Sequence, residues 1–324
     1  MASAAALMVA VAVLALAGAG AAQLQYGFYK GKCNGSDVEA VVQSIVKARF
    51  LREAPIAAYL LRMEFHECVI NVRVRRRPAD RRAGTEKTAP PNLSVKGYDV
   101  IAAVKAELER RCPGVVSCSD IQILAARDAV ALAGGPSYSV RTGRRDGRRS
   151  LASDAKLPGA DYTAAQAVAY YGRVGLSTFD TVLLLGAHTL GATHCYAIKS
   201  RLYGYGGKPG ATDPSMDAYT AFVYKNYVCP NTPSSDNRVV FLDDQWSALL
   251  VDNNYYKNIQ RRRGVLAVDQ NLYNDGSTRW IVDLLANNDG MFHSLFPYAL
   301  VKLSEVNVLT GTKGKIRKVC NKFN

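Results

Sequence analysis

Residues 60–68, "LLRMEFHEC", combine an arginine, an aromatic ring and a histidine within an apolar run. In an α-helix, positions i, i+3 and i+4 share one face, so Arg62, Phe65 and His66 would point at the same place. A histidine can move a proton and an arginine can stabilise a developing anion, so the pattern predicts a catalytic site. The alternative is a surface arginine beside a histidine that makes only structural hydrogen bonds.

A second histidine, His188, follows an apolar run in "LLLGAHTLGATHC", residues 183–195. A single histidine on an apolar helix is more often structural than a metal ligand. The chain has only four histidines, however, and one haem arrangement would use both stretches. In it, His188 holds the iron while His66 and Arg62 lie across the ring.

Helical periodicity dominates the rest of the chain. Ser36 and Glu39 have the spacing of a capping box at the start of "SDVEAVVQSIVKARF". Few segments alternate apolar and polar residues at period two, so strands should be minor. The sequence therefore predicts one mainly α-helical domain over residues 23–324.

Residues 1–22, "MASAAALMVAVAVLALAGAGAA", carry no charge and end in small residues, which is typical of a secretory signal peptide. The alternative is a transmembrane anchor, for which the apolar core is short. We expect a secreted protein of the extracellular space or cell wall, with the vacuole as the other destination, and no membrane span after signal removal.

The net charge is +14 and the pI is about 9.5. This balance suits nucleic acid or an acidic extracellular polymer. The sequence has no zinc-finger, helix-turn-helix or aromatic RNA-binding motif, so we expect no nucleic-acid partner. The export signal favours an acidic wall polysaccharide instead.

Seven cysteines spread along an exported chain predict disulfides. Seven is odd, so at least one cysteine has no partner within the chain. Spacing alone leaves the pairing open, because six cysteines already allow 15 connectivities. No CxxC pair occurs, which argues against metal binding by the cysteines.

Several further blocks, taken with the two histidine stretches, resemble the secretory plant peroxidases, the class III haem peroxidase family. These blocks are "EKTAPPNLSVKGYDVI", "CPGVVSCSDIQILAARDAVALAGGP", "GRRDG", "SRLYG", "DNNYYKN", "VLAVDQNLY" and "VKLSEVNVLTGTKGKIRKVCN". Their order matches the family from about Gln23 to Asn324. The resemblance implies a mainly α, bundle-like fold with minor β structure and with haem b between a distal and a proximal half. It also implies a monomer that reduces hydrogen peroxide and oxidises phenolic donors, lignin precursors among them, by one-electron steps.

The resemblance assigns distal roles to four residues. His66 matches the histidine that acts as base and then as acid, and Arg62 matches the arginine that stabilises charge as the O–O bond breaks. Asn92, in "PPNLS", matches the asparagine that hydrogen-bonds this histidine and sets its basicity. Phe65 would contact the haem.

On the proximal side, His188 matches the axial iron ligand. Asp269, in "VDQ", matches the carboxylate that accepts the other N–H of that ligand. Pro158, in "KLPGA", matches a proline at the haem edge where small reductants dock.

Calcium is the second cofactor that the resemblance implies, because these residues can offer the six to eight oxygens that calcium prefers. The proximal site would use Thr189, Asp244, Ser247, Leu250 and Asp252. A distal site would retain only Glu67, Ile70, Val72 and Glu86.

The resemblance also implies the disulfides Cys33–Cys112, Cys118–Cys320 and Cys195–Cys229, which leaves Cys68 unpaired. Asn34-Gly35-Ser36 is a glycosylation sequon that we expect to be exposed. A second formal sequon begins at Asn92, whose active-site role would bury it.

The chain departs from the family at 71–84, "NVRVRRRPADRRAG", which contains six arginines. The cysteine expected to pair with Cys68 falls at Arg73, and two expected calcium ligands fall at Val74 and Arg76. Six arginines would repel a divalent cation. A permitted back-translation of residues 72–82, read one base later, gives Cys-Gly-Cys-Asp-Ala-Val-Leu-Leu-Ile-Asp, which is close to the family's segment. We therefore hold a frameshift as a hypothesis.

This departure leaves a second functional interpretation open. The chain would then be a catalytically impaired haem-fold protein that acts as a basic cell-wall-binding protein. The residues at the haem favour the enzyme, and the segment 71–84 favours the alternative.

Overall fold

A computed structural model describes residues 23–70 and 85–321 of the chain. Within these ranges it contains twelve α-helices and one two-stranded antiparallel sheet, which confirms the mainly α prediction. The helices are α1 Val38–Phe50, α2 Ile56–Ile70, α3 Tyr98–Arg111, α4 Cys118–Leu132, α5 Ala164–Gly172, α6 Thr178–Leu185, α7 Lys199–Tyr203, α8 Ala218–Val223, α9 Asn254–Gln260, α10 Ala267–Asn274, α11 Gly276–Ala286 and α12 Asp289–Ser304. The strands are β1 Ala192–His194 and β2 Val239–Phe241.

The distal half of the fold is formed by α1 to α4. Helix α4 packs along α2 and α1, and its alanines Ala125, Ala126 and Ala129 are fully buried. Small side chains at these positions let the helix axes come close together. Helix α2, which carries Arg62 and His66, is therefore supported along most of its length.

The proximal half is built around α6. Its N-terminus has a capping box in which Ser177 and Asp180 each accept a hydrogen bond from the other's backbone N–H. The helix ends at Leu185, and a 3-10 turn, Gly186–Thr189, follows it. His188 therefore lies on this turn, whereas the sequence pattern places it on the apolar helix.

The expected capping box at Ser36 is wrong by one residue. Asp37 is the N-cap of α1, and its side chain accepts a hydrogen bond from Ala40 N at 3.1 Å. The N–H of Ser36 instead closes a turn onto Cys33 O at 2.7 Å. Glu39 is used elsewhere, in an ion pair with Arg127.

Three disulfides connect distant parts of the chain: Cys33–Cys112, Cys118–Cys320 and Cys195–Cys229. They are the pairs that the resemblance implies. All seven cysteines lie in the described ranges, and Cys68 is the buried free thiol that remains.

Strand β1 follows the turn that carries His188 and pairs with β2, with Ala192 opposite Phe241 and His194 opposite Val239. The pairing brings the chain after His188 beside the loop between β2 and α9. Among the residues described, no helix is long and apolar enough to cross a membrane.

Candidate active site

His66, the predicted distal histidine, is buried and hydrogen-bonded at both ring nitrogens. His66 is 6% exposed, and its Nδ1–H donates to Asn92 Oδ1 at 2.6 Å. Asn92 is fixed in turn, because its Nδ2 donates to Glu86 O at 2.7 Å. This chain of hydrogen bonds sets the tautomer of His66, so its Nε2 carries a lone pair.

Arg62 lies one helical turn before His66, as the spacing predicted. Its Nε donates to His66 Nε2 at 3.2 Å. Its Nη2 donates to Pro91 O and Ser94 Oγ, both at 3.0 Å. The guanidinium is thus anchored to the segment that carries Asn92, although the side chain itself is exposed.

The environment keeps His66 neutral. Burial lowers its pKa to about 4, and the positive charge of Arg62 adds to the effect, while the hydrogen bond to Asn92 opposes it. Once the hydrogen bond from Arg62 Nε is displaced, a neutral imidazole can accept a proton at Nε2 over most of the physiological pH range. Phe65 packs edge-on to the His66 ring, with ring centroids 5.6 Å apart.

The proximal histidine is oriented by a buried carboxylate. His188 Nδ1–H donates to Asp269 Oδ1 at 2.8 Å, and the Tyr255 hydroxyl donates to the same oxygen at 2.9 Å. Burial favours the neutral ring, but the Asp269 carboxylate outweighs it and raises the pKa of His188, while the charge of Arg62 opposes this rise.

The proximal donor set fits a haem iron. Asp269 occupies Nδ1 of His188, so Nε2 is the nitrogen left to bind a metal. The His188 side chain remains 29% exposed, whereas Asp269 behind it is 1% exposed. The bonded edge of the imidazole therefore faces the buried Asp269, and part of the side chain remains accessible.

Pro158 is half-buried in the loop before α5. The loop is fastened on both sides of it, by the Tyr170 hydroxyl on Lys156 O at 2.9 Å and by Val268 N on Ala160 O at 2.9 Å. The second of these hydrogen bonds is donated by Val268, which directly precedes Asp269. The docking role of Pro158 remains a prediction.

Some of the residues predicted to bind proximal calcium do meet. Thr189 Oγ1 lies 3.0 Å from Leu250 O and 3.0 Å from Asp252 O. Ser247 is buried, and its hydroxyl has no hydrogen-bond partner in the described ranges. Asp244, by contrast, is exposed.

A neighbouring carboxylate, Asp243, also contacts this group, with its Oδ2 3.4 Å from Thr189 Oγ1. Burial raises the pKa of Asp243 to about 7, and the charges of Asp252 and Asp244 add to the rise. In the part of the chain that the structure describes, no three His, Cys, Asp or Glu side chains form a compact metal-binding group. Calcium here would depend largely on hydroxyl and main-chain oxygens.

The distal calcium set is incomplete among the described residues. Burial raises the pKa of Glu86 to about 7, and the charge of Glu67 adds to this rise. Ile70 is buried as the last residue of α2. Val72, like the whole arginine-rich segment, lies outside the described residues.

The second sequon is buried, because Asn92 is 6% exposed. Asn34 is exposed, as expected, but its Nδ2 donates to Arg111 O at 2.7 Å. Glycosylation of Asn34 remains a prediction.

Sequence reasoning missed two residues that hydrogen-bond to the site and a third that is buried in the helix that carries it. Tyr255 and Ser94 bond to Asp269 and Arg62, and nothing in their own sequence context distinguishes them from other hydroxyl residues. Glu64 had a signal, since a carboxylate inside the apolar run of α2 is unusual. It is 2% exposed, its Oε2 has no partner within the described ranges, and burial raises its pKa to about 8.

Comparison with known proteins gives a consistent result. The family model described as Peroxidase matches residues 38–288. Peroxidase 57 of Arabidopsis thaliana is 45% identical over 303 residues, which cover 94% of this chain and 93% of that protein. Peroxidase 44 of the same species is 41% identical with 94% of each chain covered. Peroxidase N1 of Nicotiana tabacum is 39% identical, with 92% and 90% covered.

Proposed function

This chain belongs to the class III plant peroxidase family, and from that premise we propose that it is a secreted haem enzyme that reduces hydrogen peroxide with electrons from small phenolic donors. The observation that carries the proposal is the pair of oriented histidines. His66 is held by Asn92 at 2.6 Å, and His188 is held by Asp269 at 2.8 Å.

His66 moves the proton in this proposal. Because Asn92 holds Nδ1–H, the working atom is Nε2, which accepts a proton from hydrogen peroxide and returns it to the oxygen that leaves as water. Arg62 Nε contacts that nitrogen at 3.2 Å, so the peroxide has to displace the contact. The guanidinium then remains beside the oxygens and stabilises their negative charge.

Bound haem b supplies the iron and the redox chemistry. His188 Nε2 would hold the iron, and Asp269 would orient the ring and strengthen it as a ligand. Phe65, packed against His66, would contact the haem face. Phenolic donors would reach the haem edge near Pro158.

A calcium ion beside Thr189 belongs to the proposal, with Asp244, Ser247, Leu250 and Asp252 as the set that the resemblance implies. Binding there would fasten the residue next to His188. We include export to the cell wall or vacuole, a monomeric state and an acidic wall polysaccharide as a further partner. Three disulfides support passage through an oxidising compartment.

The alternative is an impaired haem-fold protein that binds the wall through its basic charge. The observation that favours it is the arginine-rich segment 71–84, which follows α2 directly. A misplacement of about 1 Å in α2 could cost roughly a hundredfold in rate.

The test compares wild type, His66→Ala and His293→Gln, each purified with haem, for guaiacol oxidation by hydrogen peroxide. His293 is the control, because its Nε2 hydrogen-bonds the backbone at Val251 O, at 2.7 Å, and the amide nitrogen of glutamine can occupy the same position. We expect His66→Ala to lose roughly 10²–10⁴-fold in rate with its Soret band intact, and His293→Gln to retain wild-type turnover. A haem-loaded wild type without turnover would favour the alternative.

A further inference from the structure

The hydroxyl of Thr189 has more acceptor oxygens around it than it can satisfy. Leu250 O and Asp252 O lie 3.0 Å away, and Asp243 Oδ2 lies 3.4 Å away. A hydroxyl has one proton, and this one already accepts a hydrogen bond from Asp252 N at 3.2 Å. Oxygen atoms gathered without protons between them suit a hard cation such as calcium.

A second observation points the same way. Ser247, in the loop between β2 and α9, is 5% exposed, and its Oγ has no hydrogen-bond partner among the described residues. A buried hydroxyl left unpaired is costly. A cation bound by this loop would give it a partner.

The two adjacent aspartates of the loop differ in how they are held. Asp243 is 7% exposed, whereas Asp244 is exposed. Asp243 Oδ1 accepts hydrogen bonds from Asp244 N at 2.7 Å and from Asn258 Nδ2 at 2.8 Å. These bonds fix the carboxylate and leave Oδ2 facing the hydroxyl of Thr189.

A surface pocket of about 220 Å³ borders one side of this group. It is lined by Asp243, Asp244 and Asn258, together with Tyr219, Tyr224 and the basic side chain of Arg263. Asp243 therefore lines the pocket and also contacts the hydroxyl of Thr189.

We infer that Asp243 is the carboxylate that binds the proximal calcium, in the place that the resemblance gives to Asp244. The inference rests on the proposed calcium site and changes its ligand set. Asp243 precedes the implied ligand by one residue. Its buried carboxylate lies 3.4 Å from Thr189 Oγ1, whereas Asp244 is exposed to solvent.

The matched variants Asp243→Asn and Asp244→Asn test this in the haem-loaded full chain. After chelator treatment, calcium is titrated back by calorimetry, and the calcium-induced shift in Tm is recorded. We expect Asp243→Asn to weaken calcium binding by about tenfold or more, because charge count sets calcium affinity, and to lose most of the Tm shift. Asp244→Asn should change the affinity less than about threefold. If Asp243→Asn does not fold, the smaller Asp243→Ser carries the same prediction.

The opposite order, with Asp244→Asn impaired and Asp243→Asn normal, overturns the inference and keeps calcium in the proposal. A wild type that takes up no calcium overturns both the inference and the calcium site. Turnover of hydrogen peroxide, measured in the same preparations, tests the peroxidase proposal separately from the calcium site.

Discussion

His66 illustrates how neighbours set the charge of one residue. Burial and the adjacent Arg62 lower its pKa to about 4. The ring therefore stays neutral at about pH 5, where a free histidine would be largely protonated. Asn92 then fixes which nitrogen carries the lone pair. Burial and Arg62 thus set the pKa of His66, whereas Asn92 determines which ring nitrogen accepts the proton.

The pH dependence of turnover follows from this pKa. Because the base must be neutral, the second-order rate with hydrogen peroxide should stay level from pH 7 down to about 5 and fall as pH drops through about 4. The measurement is a stopped-flow pH profile of the haem-loaded chain. A rate that falls instead near pH 6.5, the ordinary pKa of histidine, would contradict the role of Arg62 and burial.

Sequence alone accounted for part of this site. The helical spacing of Arg62 and His66 predicted a shared face, and the structure has their nitrogens 3.2 Å apart. Asn92 and Asp269 lie 26 and 81 residues from their histidines, so only the family resemblance could suggest them. Tyr255 was missed because its hydroxyl reaches Asp269 only after α9 and α10 pack together.

Asp243 and Glu64 show a different limit at this scale. Both are buried carboxylates, with pKa values raised to about 7 and 8 mainly by burial. A sequence marks such residues as unusual but does not tell which neighbour they face. In the structure, Asp243 faces the hydroxyl of Thr189, which has more acceptor oxygens around it than it can satisfy. Glu64 Oε2, in contrast, has no hydrogen-bond partner within the described ranges.

At the scale of elements, helix ends were harder to predict than helices. Asp37 rather than Ser36 caps α1, because both residues can cap and the turn after Cys33 decides between them. The apolar run before His188 continues past Leu185 in sequence, but the helix does not. This helix packs against α11 and α12, and a 3-10 turn, Gly186–Thr189, continues the chain to His188.

The chain just after His188 is connected to the distal half through Gly191. Its φ is +101°, and a Cβ there would lie 2.9 Å from Ala58 Cβ on α2. Gly191 N also donates to Ala248 O at 2.9 Å. This residue therefore couples the element that carries His188 to the helix that carries His66.

Gly191→Ala should destabilise the chain by about 1–2 kcal/mol or more, since alanine disfavours this backbone and would clash with α2. Gly172→Ala is the control, because that glycine ends α5 and a methyl group added there would meet no atom within 4 Å. The control should be neutral or slightly stabilising. Urea denaturation measures both, and equal stability of the two variants would refute the coupling.

At the scale of the whole molecule, the described residues include long-range connections that lie outside the arginine-rich segment. The disulfide Cys118–Cys320 closes 202 residues and joins the start of α4 to the C-terminal region. Helix α2, which ends at Ile70 just before the segment, packs against α4. The fold class and the disulfide pairs were therefore available from the sequence and its resemblance, while the consequence of residues 71–84 for activity was not.

The central claim is that this chain, with its arginines in place, is a working haem peroxidase. The most direct measurement adds a limiting amount of hydrogen peroxide to the haem-loaded chain with excess phenolic donor and counts the donor molecules oxidised. One-electron oxidation predicts two donor molecules for each peroxide, at a Soret absorbance corresponding to one haem per chain. Peroxide that persists, or that disappears without oxidation of the donor while haem remains bound, would contradict the account.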